Sequence, residues 1–355
     1  MRLFTVTIFM MLSCSALANV ALANSHRTDS NSPAVTHFNQ TYTEAPALSD
    51  GYVTVNDVQY HYVTAGEGPL VILYHGFPSF WYAWKFQLAE LAKHYTVVAV
   101  DGLGSNLSDK PAAIERYRID RLADDLNQLA LQLGGNQPFR LIGHDWGGTL
   151  SWYFAQVYPE RLERLVVLNA PPYQIFQHLL RENEQQKKTS RYINFLSHSW
   201  GEALLSLNDS YLIWKMAYQK HLDHDRISPD EAALFRQALA KHQALHSAIN
   251  WYRANFPAAS GNPPVEAIDN KIVTPSLLIW GENDPAFVSE FIDMLPDTVE
   301  QLSIERFSDA AHWPALSHAK QVNQTLIDFL ATSSETAGVA TRSRGAVIPS
   351  APTSP

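Results

Sequence analysis

The chain has 355 residues and carries 26 Lys and Arg against 35 Asp and Glu, a net charge of −9 at pH 7. That balance argues against nucleic acid as a partner. The single cysteine, Cys14, rules out a disulfide-built scaffold, which a chain of this length does not need to hold a core. In chain order, Met1-Arg2 opens a mostly apolar run, Leu3 to Leu17, and Ala21-Leu22-Ala23 supplies a small-x-small cleavage pattern, so residues 1–23 read as a secretory signal. The run is too short to span a bilayer, and no stable membrane insertion is expected. Cys14 lies inside that signal, where Met11-Leu12-Ser13-Cys14 is a poor lipoprotein box because of its Met. Cleavage would leave a periplasmic or secreted chain beginning at Asn24, with 25 basic and 35 acidic residues.

Residues 24–47, rich in Ser, Thr and Asn, are expected to form a loose arm, and 48–173 the first part of the core. Tyr52 to Val55 and Gln59 to Thr64 flank Asn56-Asp57 as an opening hairpin. Leu70-Val71-Ile72-Leu73-Tyr74 is an apolar strand running into His75-Gly76-Phe77-Pro78, where Gly allows close backbone approach and Pro stiffens the exit. Phe139 to Ile142 reads as another buried strand. It leads into Gly143-His144-Asp145-Trp146-Gly147-Gly148, and Thr149 to Val157 continues at helical spacing. This is a nucleophile elbow with Asp in the place of Ser. A carboxylate at that point implies attack on a saturated carbon. The backbone amides of Phe77 and Trp146 are the expected oxyanion hole.

After Asn169 the chain enters a stretch rich in Tyr, Trp, His and Gln without strand-like alternation, a helical insertion placed at 174–264. The core resumes over 265–331. Ser276 to Gly281 is a buried strand that delivers Asp284 into the following loop, and Glu300 to Phe307 is a strand followed by Ala310-Ala311-His312-Trp313-Pro314. A helix bearing Val322, Leu326, Ile327 and Leu330 on one face closes the core, and 332–355 reads as a disordered tail. Elbow folds present nucleophile, acid and His in that order. Asp284 is therefore the candidate acid and His312 the candidate base, with Asp309 as the rival acid. No His/Cys/Asp cluster has convincing metal-ligand spacing, and no cofactor is expected.

His75-Gly76-Phe77-Pro78, Trp81-Tyr82-Ala83-Trp84, Asp101, Leu107-Ser108-Asp109-Lys110-Pro111, the elbow and His312-Trp313 together resemble epoxide hydrolases of the α/β-hydrolase superfamily. The resemblance implies an α/β fold, with a mainly parallel central sheet and a helical cap inserted after the sixth strand. It also implies that two cap tyrosines open the epoxide. Asn250-Trp251-Tyr252-Arg253-Ala254-Asn255 is similar to one such segment, giving Tyr252, and Tyr192 lies where the other is expected; Tyr173, Tyr211 and Tyr218 are alternatives in the insertion. His75, Pro78, Trp251 and Trp313 are expected to line the pocket for a small apolar epoxide, with water as cosubstrate.

Dehalogenases of the same branch share most of these motifs. The haloacetate type carries Arg just after the nucleophile, where this chain has Trp146-Gly147-Gly148-Thr149, and the haloalkane type usually has a halide-binding Asn in the loop that here reads Gly76-Phe77-Pro78. A catalytically silent binder would have no use for a water-activating base.

Overall fold

A computed structural model describes residues 32–256, 265 and 268–331. Residues 1–31, 332–355 and most of 257–267 lie outside them, and with them the segments expected to be a signal and a tail. Eight strands form one sheet in the order β1-β2-β4-β3-β5-β6-β7-β8. β1 (Ser49–Val55) and β2 (Val58–Ala65) pair antiparallel about Asn56 and Asp57, both with positive φ, as a two-residue hairpin requires. β2 also pairs antiparallel with β4 (Thr96–Val100). The rest is parallel: β3 (Leu70–Tyr74), β5 (Phe139–His144), β6 (Leu162–Leu168), β7 (Ser276–Gly281) and β8 (Leu302–Phe307). β5 and β7 are buried throughout, which is why they read as unbroken apolar runs rather than alternating ones.

Helices cover the sheet. The arm expected at 24–47 is in part wrong: Pro33–Thr41 is a helix, α1, with Ala34, Val35 and Phe38 buried. Ser32-Pro33 is a start signal of the usual kind, and Asn39 fixes the helix by donating to the carbonyl of Leu48 at 3.0 Å and accepting its amide at 2.8 Å. The polar residues interleaved with Val35 and Phe38 hid it. α2 (Lys85–Leu91) and α3 (Ile119–Gly134) precede the elbow helix α4 (Trp146–Val157).

Between β6 and β7 the chain builds seven helices among the described residues: α5 (Tyr173–Glu182), α6 (Glu184–Thr189), α7 (Arg191–Ser197), α8 (Ser199–Leu205), α9 (Leu207–Asp223), α10 (Pro229–Ala240) and α11 (Ala244–Asn255). They form a cap over the carboxyl ends of the parallel strands. A buried ion pair ties cap to core, Lys85 Nζ to Glu231 at 2.6 Å, and Glu231 also closes the capping box of α10 with Ser228. α12 (Phe291–Thr298), α13 (Pro314–Ser317) and α14 (Ala319–Ala331) complete the core, with Val322, Leu326 and Leu330 of α14 buried and Ile327 partly so.

Candidate active site

The loops that follow β3, β5, β7 and β8 meet at one end of the sheet, where ligands bind in open parallel sheets. Asp145 sits at the turn from β5 to α4 with φ 53° and ψ −123°. The turn survives only with glycine around it, since a Cβ on Gly143 would overlap the Gly147 carbonyl and one on Gly147 the Tyr74 carbonyl. Gly76 matters in the same way, because a side chain there would collide with the carboxylate of Asp145. The Phe77–Pro78 bond is cis.

The Phe77 amide donates to Oδ1 of Asp145 at 2.7 Å, and the Trp146 amide also bonds the carboxylate. Both amides expected in the oxyanion hole thus already act on the carboxylate, that of Phe77 through Oδ1. The other, Oδ2, faces Nε2 of His312 at 3.4 Å. Burial alone would raise the pKa of Asp145, but the bond and charge of His312 and the amide at the start of α4 lower it. The residue is held as an anion.

His312 bonds Asp284 Oδ2 through Nδ1 at 2.8 Å. Burial disfavours its protonated form, yet the charges of Asp284 and Asp145 outweigh that and raise its pKa to about 10. The side chain of Asp284 is fully buried and anchored: Asn169 donates to Oδ2 at 2.6 Å, and the amides of Ala286 and Phe287 to Oδ1 at 2.7 and 3.1 Å. The rival Asp309 is exposed and pairs with His318 instead, at 3.1 Å. Two supporting residues escaped the sequence reading. Asn169, at φ 42°, also accepts the Gly281 amide and so locks the acid loop to β7. His144, its pKa lowered to about 4 chiefly by burial, bonds the His312 carbonyl at 2.7 Å and packs on that ring. The only hint was that Asn tolerates left-handed backbone and that a polar residue sits inside the elbow.

The two cap tyrosines converge on the nucleophile. Tyr192 of α7 and Tyr252 of α11 line one cavity with Asp145, their rings 6.0 Å apart and edge to face. Burial and the nearby Asp145 charge push both phenols well above their ordinary pKa, so both stay protonated donors. α11 is held in place by the core: Trp251 Nε1 donates to the Leu103 carbonyl at 2.9 Å, and Asn255 accepts the Ile119 amide at 2.9 Å while donating to the Tyr117 carbonyl. The alternatives Tyr173 and Tyr218 spend their hydroxyls on the carbonyls of Asn255 and Pro78. Tyr211 instead stacks on Trp214.

The cavity over Asp145 is about 770 Å³ and mostly apolar, with Phe77, Pro78, Leu196, Ile213 and Trp313 among its walls. Two expected pocket residues are elsewhere. His75 and Trp251 line a narrower cleft on the other side of the Phe77-Pro78 loop, and His75 is a clamp, bonding the Gly76 carbonyl through Nδ1 and accepting the Gly102 amide at Nε2. With both nitrogens committed to backbone, it has none left for a ligand.

Asp145, His312 and Asp284 in line at the strand ends, the first pair an ion pair and the second hydrogen-bonded, with Asp145 at an elbow, is an arrangement of the α/β-hydrolase kind, and residues 69–319 match the model of the alpha/beta hydrolase fold. The chain belongs to the α/β-hydrolase family. Among its relatives, epoxide hydrolase 3 of Mus musculus is 34% identical over 283 residues, 78% of this chain and 75% of that one. Epoxide hydrolase 4 of Homo sapiens is 33% identical, covering 79% and 78% of the two chains. The crystal structure of a Bacillus megaterium epoxide hydrolase in complex with an inhibitor superposes with a TM-score of 0.74 at 28% identity, over 79% of this chain and 100% of that one.

Proposed function

We propose that this α/β-hydrolase converts an apolar epoxide and water into a vicinal diol through an ester on Asp145. The reading is carried by the pair of protonated phenols, Tyr192 and Tyr252, lining the cavity of a buried carboxylate nucleophile. Oδ2 of Asp145 attacks an epoxide carbon, the carbon–oxygen bond breaks, and one phenol protonates the alkoxide while the other stabilises it. The ester has no charge, so His312 loses the interaction that kept it protonated and releases its proton to the tyrosinate. Now neutral, it takes a proton from a water that attacks the ester carbonyl. Oδ1, bonded by the Phe77 amide with the Trp146 amide as the second expected donor, carries the oxyanion. Collapse expels the diol, which takes its proton from His312, and the new carboxyl returns one to His312.

Relatives named as epoxide hydrolases support this reading. The test compares diol release from a terminal epoxide with halide release from a matched bromoalkane. Diol formation that collapses on Tyr192→Phe and Tyr252→Phe supports it; fast halide release that survives both changes, without diol, would replace it by dehalogenation.

Residues 1–23 further support export to the periplasm or medium, and no helix of the described residues is long and apolar enough to cross a membrane. Recovery of a chain beginning at Asn24 is the expected result, and one still beginning at Met1 would refute export.

A further inference from the structure

Among the described residues, the exposed large apolar side chains are concentrated in one place. Of the eight large hydrophobic side chains exposed among the described residues, five fall between 200 and 216: Trp200, Leu204, Leu207, Leu212 and Met216, the last 71% accessible. Leu212 and Met216 also line the cavity that holds Asp145, and Trp200 packs on Phe195, another of its walls. The patch therefore borders that cavity at Leu212 and Met216, while Leu204 and Leu207 lie outside its walls. Scattered exposed apolar residues need no explanation, but a cluster does.

We propose that this patch, carried by α8 and α9, docks on an anionic lipid surface and receives apolar epoxide from it. Two observations select that occupant. A second copy or a protein partner seated on Leu212 and Met216 would stopper the cavity they line, whereas a lipid surface covers the same side chains and dissolves the substrate. On the exposed face of α9, Lys215 stands beside Leu212 and Met216, and Lys220 sits at the cavity wall, so cations frame the apolar patch of a chain whose net charge is −9. Asp223 lies at the far end of that helix, while Asp209 stands in the left-handed kink of 208–210, between Leu207 and Leu212. Apolar and basic residues sharing one helical face is the pattern of interfacial binding to anionic headgroups. The inference rests on the epoxide reading for the cargo alone; the docking can be measured without turnover.

The test is sedimentation of the mature enzyme with phosphatidylcholine vesicles, with and without phosphatidylglycerol. Wild type is expected to pellet with the mixed vesicles and less with the neutral ones. Leu204→Gln with Leu207→Gln, neither of which lines the cavity, should lower partitioning about tenfold or more while turnover of a water-soluble epoxide is unchanged. Lys215→Glu should remove the preference for anionic vesicles. A wild type that stays in the supernatant with both, or a double variant that binds as wild type does, overturns the proposal. So does a wild-type dimer in sedimentation velocity that the double variant dissociates, which would give the face to a second copy. Loss of epoxide turnover with vesicle binding intact would fault the activity reading and leave the docking standing.

Discussion

Nε2 of His312 lies 3.4 Å from Oδ2 of Asp145, so the proposed base of the second step is the ion-pair partner of the proposed nucleophile of the first. In the proposed mechanism the pair works in sequence because its charges are linked. While Asp145 is an anion, His312 is held protonated and cannot act as a base; alkylation neutralises the carboxylate and frees the imidazole. The site therefore arms its hydrolytic half only after an ester exists.

His312→Gln should leave alkylation intact and slow ester hydrolysis by about 10²–10⁴-fold. Intact-mass measurement after mixing with epoxide is expected to show one added substrate mass per chain, located on the peptide of Asp145. An unmodified protein that still turns over would exclude the role given to His312.

The pH dependence should separate the two steps. Asp145 is ionised well below neutrality and His312 titrates near 10, so alkylation in single turnover should be flat from about pH 6 to 9, given reference values of roughly 4 and 6.5. Linkage gives a stability consequence as well. His312 has a folded pKa above its unfolded one, so its contribution is complete below the unfolded value and is lost as pH rises toward 10. The melting-temperature advantage of wild type over His312→Gln should shrink from pH 7 to 10, and an advantage that grows would contradict the ion pair.

Replacing Tyr192 or Tyr252 by Phe removes one donor to the developing alkoxide and should cost roughly 2–4 kcal/mol, about two to three orders of magnitude in the alkylation rate. Stopped-flow measurement on a terminal epoxide checks this. A tenfold or smaller loss in both variants would remove the phenols from ring opening.

The acid assignment has a direct contrast. Asp284→Asn should slow ester hydrolysis by about 10²–10⁴-fold, because Nδ1 of His312 loses the charge that stabilises its protonated form. Asp309 also lines the cavity, but Asp309→Asn breaks its exposed pair with His318 and leaves the His312–Asp284 bond in place, so it should change the rate by less than about twofold. Equal losses in the two variants would count against Asp284.

Lys85 and Glu231 join cap to core with side chains only 2% and 6% exposed. Lys85→Met alone should destabilise by about 3–5 kcal/mol, since it strands a buried carboxylate, whereas Lys85→Met with Glu231→Gln should cost much less. Denaturant titration of the three proteins decides it.

Much of this was legible from the chain. The strands Leu70–Tyr74 and Ser276–Gly281 matched residue for residue because continuous apolar runs bounded by Gly or Pro leave little choice of boundary. Asp145 was legible because its glycines and backbone angle are local properties. Asn169 was not, since its role depends on Asp284, 115 residues away. The division of His75 and Trp251 from Pro78 and Trp313 was hidden for a similar reason: which side of the Phe77-Pro78 loop a ring faces is set by the cap's packing. α1 was hidden because a short helix with three buried residues has little periodicity to show.

The central claim is that Asp145, not water, opens the epoxide. A single turnover with excess enzyme in water labelled with oxygen-18 tests it most directly. Hydrolysis at the ester carbonyl leaves the diol carrying an oxygen that came from Asp145, so the account predicts unlabelled diol in the first turnover and label in the Asp145 peptide. Labelled diol in that turnover, with an unlabelled Asp145 peptide, would contradict it.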